Sequence, residues 1–396
     1  MILPEKDIMF IVPSFKGGSW KWFENLIPFL PKNFKVILIG YGKLPKDNLP
    51  SNLCVISIPF FDYVAFPCVG NNAFLSVLFD LPLICLSYLF FFLYSPKVVI
   101  PNGFVLSLQM LPLTFFFKKK MVVSHHGWLE HYTTGFIRRV VIFMCKYIDL
   151  VFVNSIGTKK DVSTIIDSSK IKITEHYAMP IFFKKYDRNK IRKNKKIESK
   201  FVVLYASRLD KEKNFDFFLY SAEKVLEIKK NVIFLIVGGT GDLKKEARNL
   251  QKKYPKNIIL FPYIYDPKEL AKVYVSSDIS FSCADETYLA RNGIESLACG
   301  TPIVQPNKPS ITLKKVFDPT VVDPTLVPKE IGFYVKMEEV NSFYNLIVFL
   351  SENPDKLPNR DFIKRYAKKY YSIKNIKKTV KYIKFCVEVN SNAEKI

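Results

Sequence analysis

Three of the chain's four histidines, His125, His126 and His131, fall in the stretch SHHGWLEHY (124–132). Crowded imidazoles suit a metal, acid–base chemistry or hydrogen bonding to a ligand. The first two follow the apolar run MVVS directly, which places them at the end of a strand. Adjacent side chains there point to opposite sides, so His125 and His126 cannot readily hold one ion. His131 lies five residues beyond His126, which fits neither the i,i+4 spacing of a zinc helix nor the common loop spacings. A neutral strand-end imidazole bonded to a ligand hydroxyl such as a sugar's fits better than a metal. The plainer reading is a histidine packing its own loop.

A second group is ASRLDKEKN (206–214), with Arg208 and Lys213 five residues apart where an apolar run ends and a helix begins. Two fixed cations beside a helix N-terminus make a diphosphate site without a metal. An isolated pair at this spacing is otherwise ordinary solvated loop charge. The third group, ADETYLARNGIESLACGTPIV (284–304), sets Asp285, Glu286 and Glu295 beyond the run DISFS, toward the same crevice. Carboxylates beside bound diphosphate suit hydrogen bonds to sugar and ribose hydroxyls. Part of this segment is helix punctuation. Asn292 is expected to cap, Glu295 to complete a capping box from N3, Gly300 to turn the C-terminus, and Pro302 to stop continuation. The Gly17–Gly18 pair after the first apolar run would let backbone N–H groups approach a ligand. Neither GxxxxGK[ST] nor a GxGxxG after the first strand occurs, which argues against a P-loop ATPase and against dinucleotide oxidoreduction.

These groups need elements to hold them. Strands are expected at 8–15, 34–40, 98–101, 121–125 and 149–155, with helices near 73–95, 104–117 and 136–147. After the basic stretch KKYDRNKIRKNKKIESK (184–200) the pattern restarts with strands at 201–207, 231–239, 257–263, 278–284 and 301–306, again separated by helical runs. The strands are continuous apolar runs without alternation, as in parallel sheets covered on both faces. The expected organisation is a Rossmann-like domain over 1–185, a basic linker over 186–200, a second such domain over 201–365, and a Lys-rich helix and tail over 366–396 that crosses back to the first. Ligands of such sheets bind outside the carboxyl ends of the strands, where all four groups fall.

The whole chain sets further bounds. Its 396 residues are too many for one compact core and suit two. Seven scattered cysteines without CxxC spacing argue for a reducing compartment and against a disulfide framework. Glu5 and Asp7 stand where a signal peptide needs basic residues, so a cytoplasmic protein is expected. The formal net charge of +23 suits an anionic membrane surface or nucleic acid, or reflects a Lys- and Ile-rich composition. Nucleic acid is disfavoured because the aromatics sit inside apolar runs rather than among the lysines. Between Leu81 and Phe117 the only charged residue is Lys97, yet Pro82, Lys97 and Pro101-Asn102-Gly103 break the run. A buried helix–strand–helix is expected there, with a patch touching lipid.

In this order the segments resemble the retaining, nucleotide-sugar-dependent glycosyltransferases of family 4, over nearly the whole chain. Gly17-Gly18, VVSHHG, DLVFVNS and KIKITEHYAMPIFF match the first half of the family, and SRLDKEKN, FLIVGGTGDL and ETYLARNGIESLACGTPIV match the second. The resemblance implies the GT-B architecture, two facing Rossmann-like domains with a cleft between them. It implies that Gly17 and Gly18 lie against diphosphate or acceptor, and that His126, followed by Gly127, contacts the transferred sugar, with His125 the second choice. Arg208 and Lys213 would hold the diphosphate and stabilise the leaving group, Glu295 the ribose hydroxyls, Glu286 the transferred sugar, and the backbone around Tyr263 the base, with Leu289 also lining the donor site. The family places seven residues between its two glutamates, whereas eight separate Glu286 from Glu295 and strict spacing selects Thr287. A one-residue insertion, or loss of the first glutamate, would account for this. The first strand of the second domain also ends in Ala206-Ser207, where the family commonly has glycine.

The activity implied is transfer of a sugar from a nucleotide diphosphate to a glycan or lipid-linked acceptor, without metal or other cofactor. The chain has no D-x-D aspartate pair of the metal-dependent sugar transferases. Its rivals are a nucleotide-sugar epimerase of the same fold and a non-catalytic protein binding a nucleotide sugar or glycan.

Overall fold

The computed structural model describes residues 6–13, 17–42, 50–58, 73–125, 139, 142–154, 156–174, 177–282, 289–307 and 330–393. The chain divides into two compact units, Met1–Glu175 with Ile376–Ile396, and His176–Asn375. Among the described residues of the first unit, seven strands form one sheet. They are β1 (Ile8–Val12), β2 (Val36–Tyr41), β3 (Leu53–Ile58), β4 (Val98–Pro101), β5 (Lys120–His125), β6 (Leu150–Val153) and β7 (Ile171–Ile173). Their order is β3-β2-β1-β4-β5-β6-β7, and every neighbouring pair is parallel. Every residue of β1, β2, β4 and β6 is buried, as strands covered on both faces must be. Leu83 and Phe91 of the helix Ala73–Tyr94 and Phe104 and Met110 of the helix Phe104–Phe116 close the core over Met9, Ile11 and Ile39.

The second unit repeats the plan with β8 (Phe201–Ala206), β9 (Val232–Val237), β10 (Ile258–Phe261), β11 (Ile279–Phe281), β12 (Ile303–Asn307) and β13 (Gly332–Lys336), in the order β10-β9-β8-β11-β12-β13 and again parallel. In both sheets the strand order reverses beside the first strand, between β1 and β4 and between β8 and β11. Loops leaving the sheet on either side of such a reversal diverge and open a crevice at the carboxyl ends. The expected α/β, doubly wound parallel sheets are therefore present in each unit.

The basic stretch 186–200, read from the sequence as a linker, is instead part of the second unit, whose chain begins at His176. It forms the helix Arg188–Asn194, N-capped by Asp187, whose side chain accepts the Lys190 N–H at 2.9 Å. What holds it is polar, so apolar periodicity could not reveal it. Arg192 is buried and donates to the carbonyls of Ser276 (2.8 Å) and Ile197 (3.0 Å) and to Asp278 Oδ2 (3.1 Å). Arg188 pairs with the other Asp278 oxygen and reaches the Val275 carbonyl. Arg360 donates to the carbonyls of Ser277 and Val275. Burial, with Arg188 adding repulsion, lowers the Arg360 guanidinium to about 10. Three guanidinium groups thus satisfy the C-terminal carbonyls of the helix Pro267–Ser276 and the segment just past it, where the helix dipole favours positive charge. Asp278 also accepts the Val202 N–H at 2.7 Å, tying the starts of β8 and β11 together.

Removing Asp278 strands two arginines in a poorly solvated place. Asp278→Ala should destabilise the second unit by about 3–5 kcal/mol in urea unfolding of the full chain. A change near zero would show that the arginines are held by the carbonyls alone.

Candidate functional site

In the second unit the site is built from three adjacent loops at the carboxyl ends of β8, β9 and β10. β8 hands over to Ser207 and Arg208, a single 3-10 turn Lys211–Lys213 follows, and the helix Phe215–Ile228 begins after Asn214. Asn214 sits at φ 55°, a left-handed conformation asparagine tolerates better than most residues. The fold of this loop is fixed from below. The Tyr205 ring is fully buried among Phe215, Phe218 and Phe281, and its hydroxyl donates to the Arg208 carbonyl at 2.8 Å and lies 3.2 Å from that of Lys213. One buried hydroxyl therefore sets the backbone under both candidate cations.

The loop VGGTGD (237–242) beyond β9 packs against it so closely that glycine is required. A Cβ on Gly238 would meet the Ser207 carbonyl oxygen at 2.5 Å, and one on Gly241, at φ +137°, the Leu209 carbonyl at 2.5 Å. Backbone hydrogen bonds Leu209 N–H to Thr240 O (2.9 Å) and Leu243 N–H to Leu209 O (2.9 Å) lock the two loops. On its other side a Cβ on Gly239 would lie 3.3 Å from the Tyr263 backbone. Tyr263, half exposed, stacks edge-on with Tyr265 at 4.6 Å. The structure thus brings together Arg208, Lys213 and Tyr263 through a glycine loop whose role in the site the sequence reading left unassigned. The clustered glycines were the signal available.

Arg208 is not idle. Its Nη1 pairs with Asp210 Oδ2 at 2.7 Å and its Nη2 with Glu212 Oε2 at 3.2 Å, while its side chain remains 48% exposed. The Glu212 pair is exposed on both sides and contributes about 0–1 kcal/mol, so it is the contact an incoming dianion replaces most readily. Asp210 is the better-placed partner. Its Oδ1 accepts the Asp242 N–H at 3.1 Å, joining the cation loop to the glycine loop. Burial pushes its carboxyl above the ordinary aspartate range, with Arg208 pulling the other way.

The helix Arg291–Ala298 follows β11, which lies beside β8 with Phe281 opposite Tyr205. Its N-terminus departs from expectation. The cap residue is Ala290 with no side-chain bond, and Asn292 is already helical. The Asn292 side-chain amide instead donates to the Phe281 carbonyl at 3.2 Å, and Glu295 lies too far along to complete a capping box. The C-terminus is as expected. Gly300 (φ +76°) donates to Leu297 O and Thr301 to Ser296 O, a Schellman turn, and a Cβ on Gly300 would strike the Arg360 carbonyl at 2.8 Å. Glu295 is half-buried and accepts the Tyr274 hydroxyl at 3.2 Å. Leu289 is buried, packed where a Cβ on Gly293 would meet it at 2.8 Å, so it supports this helix from within. The Ser282 hydroxyl, also buried here, was not anticipated. Glu286 and Asp285 lie outside the described residues.

In the first unit Gly17 and Gly18 open the helix Gly17–Leu26 just after β1, so their N–H groups belong to a helix N-terminus rather than a loop. His125 ends β5 and is buried, its ring 4.8 Å from that of Phe104. That is a packing role. His126 and His131 lie outside the described residues. Across the strand reversal from β1, Asn102 and Gly103 follow β4, with Gly103 (φ +88°) donating to Ser124 O at 2.8 Å. The buried Asn102 Nδ2 has no protein partner, which marks it as a donor the sequence reading passed over as part of a turn. Among the described residues no three of His, Cys, Asp and Glu are grouped to hold a metal.

Residues 187–370 match the family described as Glycosyl transferases group 1. Among curated proteins the chain is similar to alpha-monoglucosyldiacylglycerol synthase of Streptococcus pneumoniae, 26% identical over 213 residues, covering 48% of this chain and 47% of that one. It is also similar to spore coat protein SA of Bacillus subtilis, 26% identical over 129 residues, or 31% of this chain and 34% of the other. The chain spans about half or less of the length of these relatives. Among solved structures, HepE of Anabaena in complex with UDP superposes with a TM-score of 0.70 at 15% identity, covering 95% and 98% of the two chains. Sucrose-phosphate synthase of Thermosynechococcus elongatus superposes with a TM-score of 0.69 at 13% identity, covering 98% and 99%. At these identities the likeness is one of fold, and the fold is GT-B.

Because the charged form of Asp210 is the disfavoured one, its contribution to stability is fully present below the unfolded aspartate pKa and is lost as pH rises through the higher folded value. Asp210→Asn should therefore gain on wild type as pH rises above the ordinary aspartate range in denaturant unfolding. Parallel curves would place the carboxylate in solvent.

Proposed function

We propose, from the match of residues 187–370 to the glycosyl transferases of group 1, that the protein transfers a sugar from a nucleotide diphosphate to an acceptor. The observation that carries the reading is the pair Arg208 and Lys213, set on one loop by the Tyr205 hydroxyl at the carboxyl end of the first strand of its sheet. The neighbouring glycine loop leaves backbone where side chains would crowd a ligand. In this reading the diphosphate displaces Glu212 from Arg208. The two cations then hold charge on the departing nucleotide, as oriented donors do at any developing anion. No metal is needed for that step. HepE was solved with UDP, which supports a uracil or similar base beside the Tyr263 backbone.

Glu295, with its carboxylate steadied by Tyr274, takes the ribose hydroxyls. Leu289 shapes the donor pocket from beneath. His126 and Glu286 are assigned to the transferred sugar by position in the sequence, and Gly17 and Gly18 to diphosphate or acceptor. Transfer proceeds with retention of configuration, and the acceptor is a glycan or lipid-linked molecule at the anionic face of a membrane. The S. pneumoniae relative, named for a glycolipid synthesis, supports the lipid-linked choice.

A thermal-shift panel of UDP, GDP, ADP and TDP with and without EDTA tests the donor site. One nucleotide should raise Tm, EDTA should not matter, and Lys213→Ala should weaken binding about tenfold or more. If no nucleotide shifts Tm, the donor-site assignment is wrong.

A further inference from the structure

From Leu81 to Tyr94 the helix Ala73–Tyr94 carries no charged residue, yet it is not fully enclosed. Leu83, Ser87 and Phe91 face the core, while Leu81, Cys85, Leu89 and Phe92 are exposed at spacings of four, four and three, which is one helical face. That stripe runs roughly 16 Å along the axis. It continues onto the next helix without a polar break. Phe92 meets Phe117 edge-on at 5.5 Å, Phe115 meets Phe116 at 5.7 Å and Tyr147 at 5.0 Å, and Tyr147 meets Phe143 at 5.7 Å. Single exposed apolar residues are ordinary, but Leu89 at 51%, Phe92 at 56% and Phe116 at 77% exposure in one contiguous aromatic field are not.

Lysines border this field. From Leu81 to Lys120 the chain has no Asp or Glu, and Lys118 to Lys120 close the second helix. Lys146 stands over the Phe143 ring at 5.8 Å. The acidic groups at this edge are engaged by lysines, Asp149 by Lys120 at 2.8 Å and Asp7 by Lys97 at 3.1 Å. Among the described residues no helix is long and apolar enough to cross a membrane. Aromatic and aliphatic side chains rimmed by lysines are the chemistry of a surface that lies in a bilayer interface rather than through it.

We infer that the face formed by Leu81, Leu89, Phe92, Phe115 and Phe116, with Lys118 and Lys146, docks on a bilayer containing anionic lipid. Phe92, Phe115 and Phe116 lie where the two helices return to the amino ends of β4 and β5, and the stripe extends from there along the helix to Leu81, beside the Tyr41 end of β2. The inference rests on the reading above only in that a lipid-linked acceptor gives docking its purpose.

The test is co-sedimentation of the full chain with vesicles of phosphatidylcholine alone or with roughly 30% phosphatidylglycerol, in low and high salt. Wild type should pellet with the anionic vesicles, more weakly at high salt, and much less with neutral ones. Leu89→Glu with Phe116→Glu should cut binding about tenfold or more, and Lys118→Glu with Lys146→Glu several-fold. Absence of pelleting in low salt, or equal pelleting of the Leu89/Phe116 variant, overturns the inference. So does light scattering that finds a wild-type dimer, abolished in that variant, without vesicle binding, since a second copy would then cover the face. The nucleotide-induced Tm shift is read separately on each variant, so a failed donor site and a failed docking face give different results.

Discussion

The hydroxyl of Tyr205 is where core and site meet. Its ring is the centre of an aromatic cluster that takes in Phe215, Phe218 and Phe281, and Phe218 extends the cluster to Phe234 and Phe343. A phenol buried this way needs an acceptor for its proton, because an unmet hydroxyl in an apolar core costs about 1–3 kcal/mol. The acceptor it finds is the carbonyl of Arg208, with that of Lys213 at 3.2 Å. Satisfying the core thus fixes the backbone of the loop that carries Arg208 and Lys213. A loop held only by its own side chains would have to lose that freedom on binding, and the cost would come out of ligand affinity.

The two edges of the same sheet handle charge in opposite ways. At the amino edge, Asp278 sits between Arg188 and Arg192 and also accepts a backbone N–H, so its charge is fully met and buried. At the carboxyl edge, Arg208 is half exposed and its carboxylate partners are one buried residue and one in solvent. The first arrangement resists rearrangement because any broken contact leaves an uncompensated charge. In the second, the Glu212 contact is screened by solvent and exchangeable, while Asp210 is held by its burial and by the Asp242 N–H.

What was legible in the sequence follows from which forces leave a periodic trace. Strands buried on both faces are continuous apolar runs, so β1, β4, β8, β9 and β11 could be read within a few residues. β3 and β13 lie at sheet edges with half-buried residues and give no such run. The helix Arg188–Asn194 is held by guanidinium bonds to backbone carbonyls and the Asp278 carboxylate 84 to 90 positions away, and no local pattern encodes those. The cations and Tyr263 were found because they stand just past readable strands. The backbone contacts that place them, glycine against carbonyl, are made by residues without side chains. Asn292 shows the limit of local rules. Its spacing to Glu295 is that of a capping box, but the helix starts earlier, at Ala290, and the Asn292 Nδ2 is drawn to the Phe281 carbonyl at the end of β11.

The apolar stretch from Leu81 to Phe117 shows the same competition on a larger scale. By composition it approaches a membrane span, and by structure it is a helix, a buried strand and a second helix, all within one sheet domain. Proline decides part of this. Pro82 leaves a gap in the helical hydrogen bonding, and the Leu83 N–H is bonded by the Tyr41 hydroxyl at 3.1 Å, a partner on β2. Strand pairing decides the rest, because β4 sits between β1 and β5 and cannot leave the sheet without exposing both. Once the strand is committed, each helix can bury only the face toward the sheet. The other face stays as apolar as the sequence made it. At roughly 25 cal/mol per Å² of apolar area, leaving it in water forfeits stability that a charged or polar face would not. The lysines that end the second helix do not shield that face, since they stand at its rim. The net charge of +23 is therefore not only compositional. Where it borders the phenylalanines it is placed as an interface would need it, and the same residues that fail to form a span supply the two ingredients of surface binding, apolar area and positive charge.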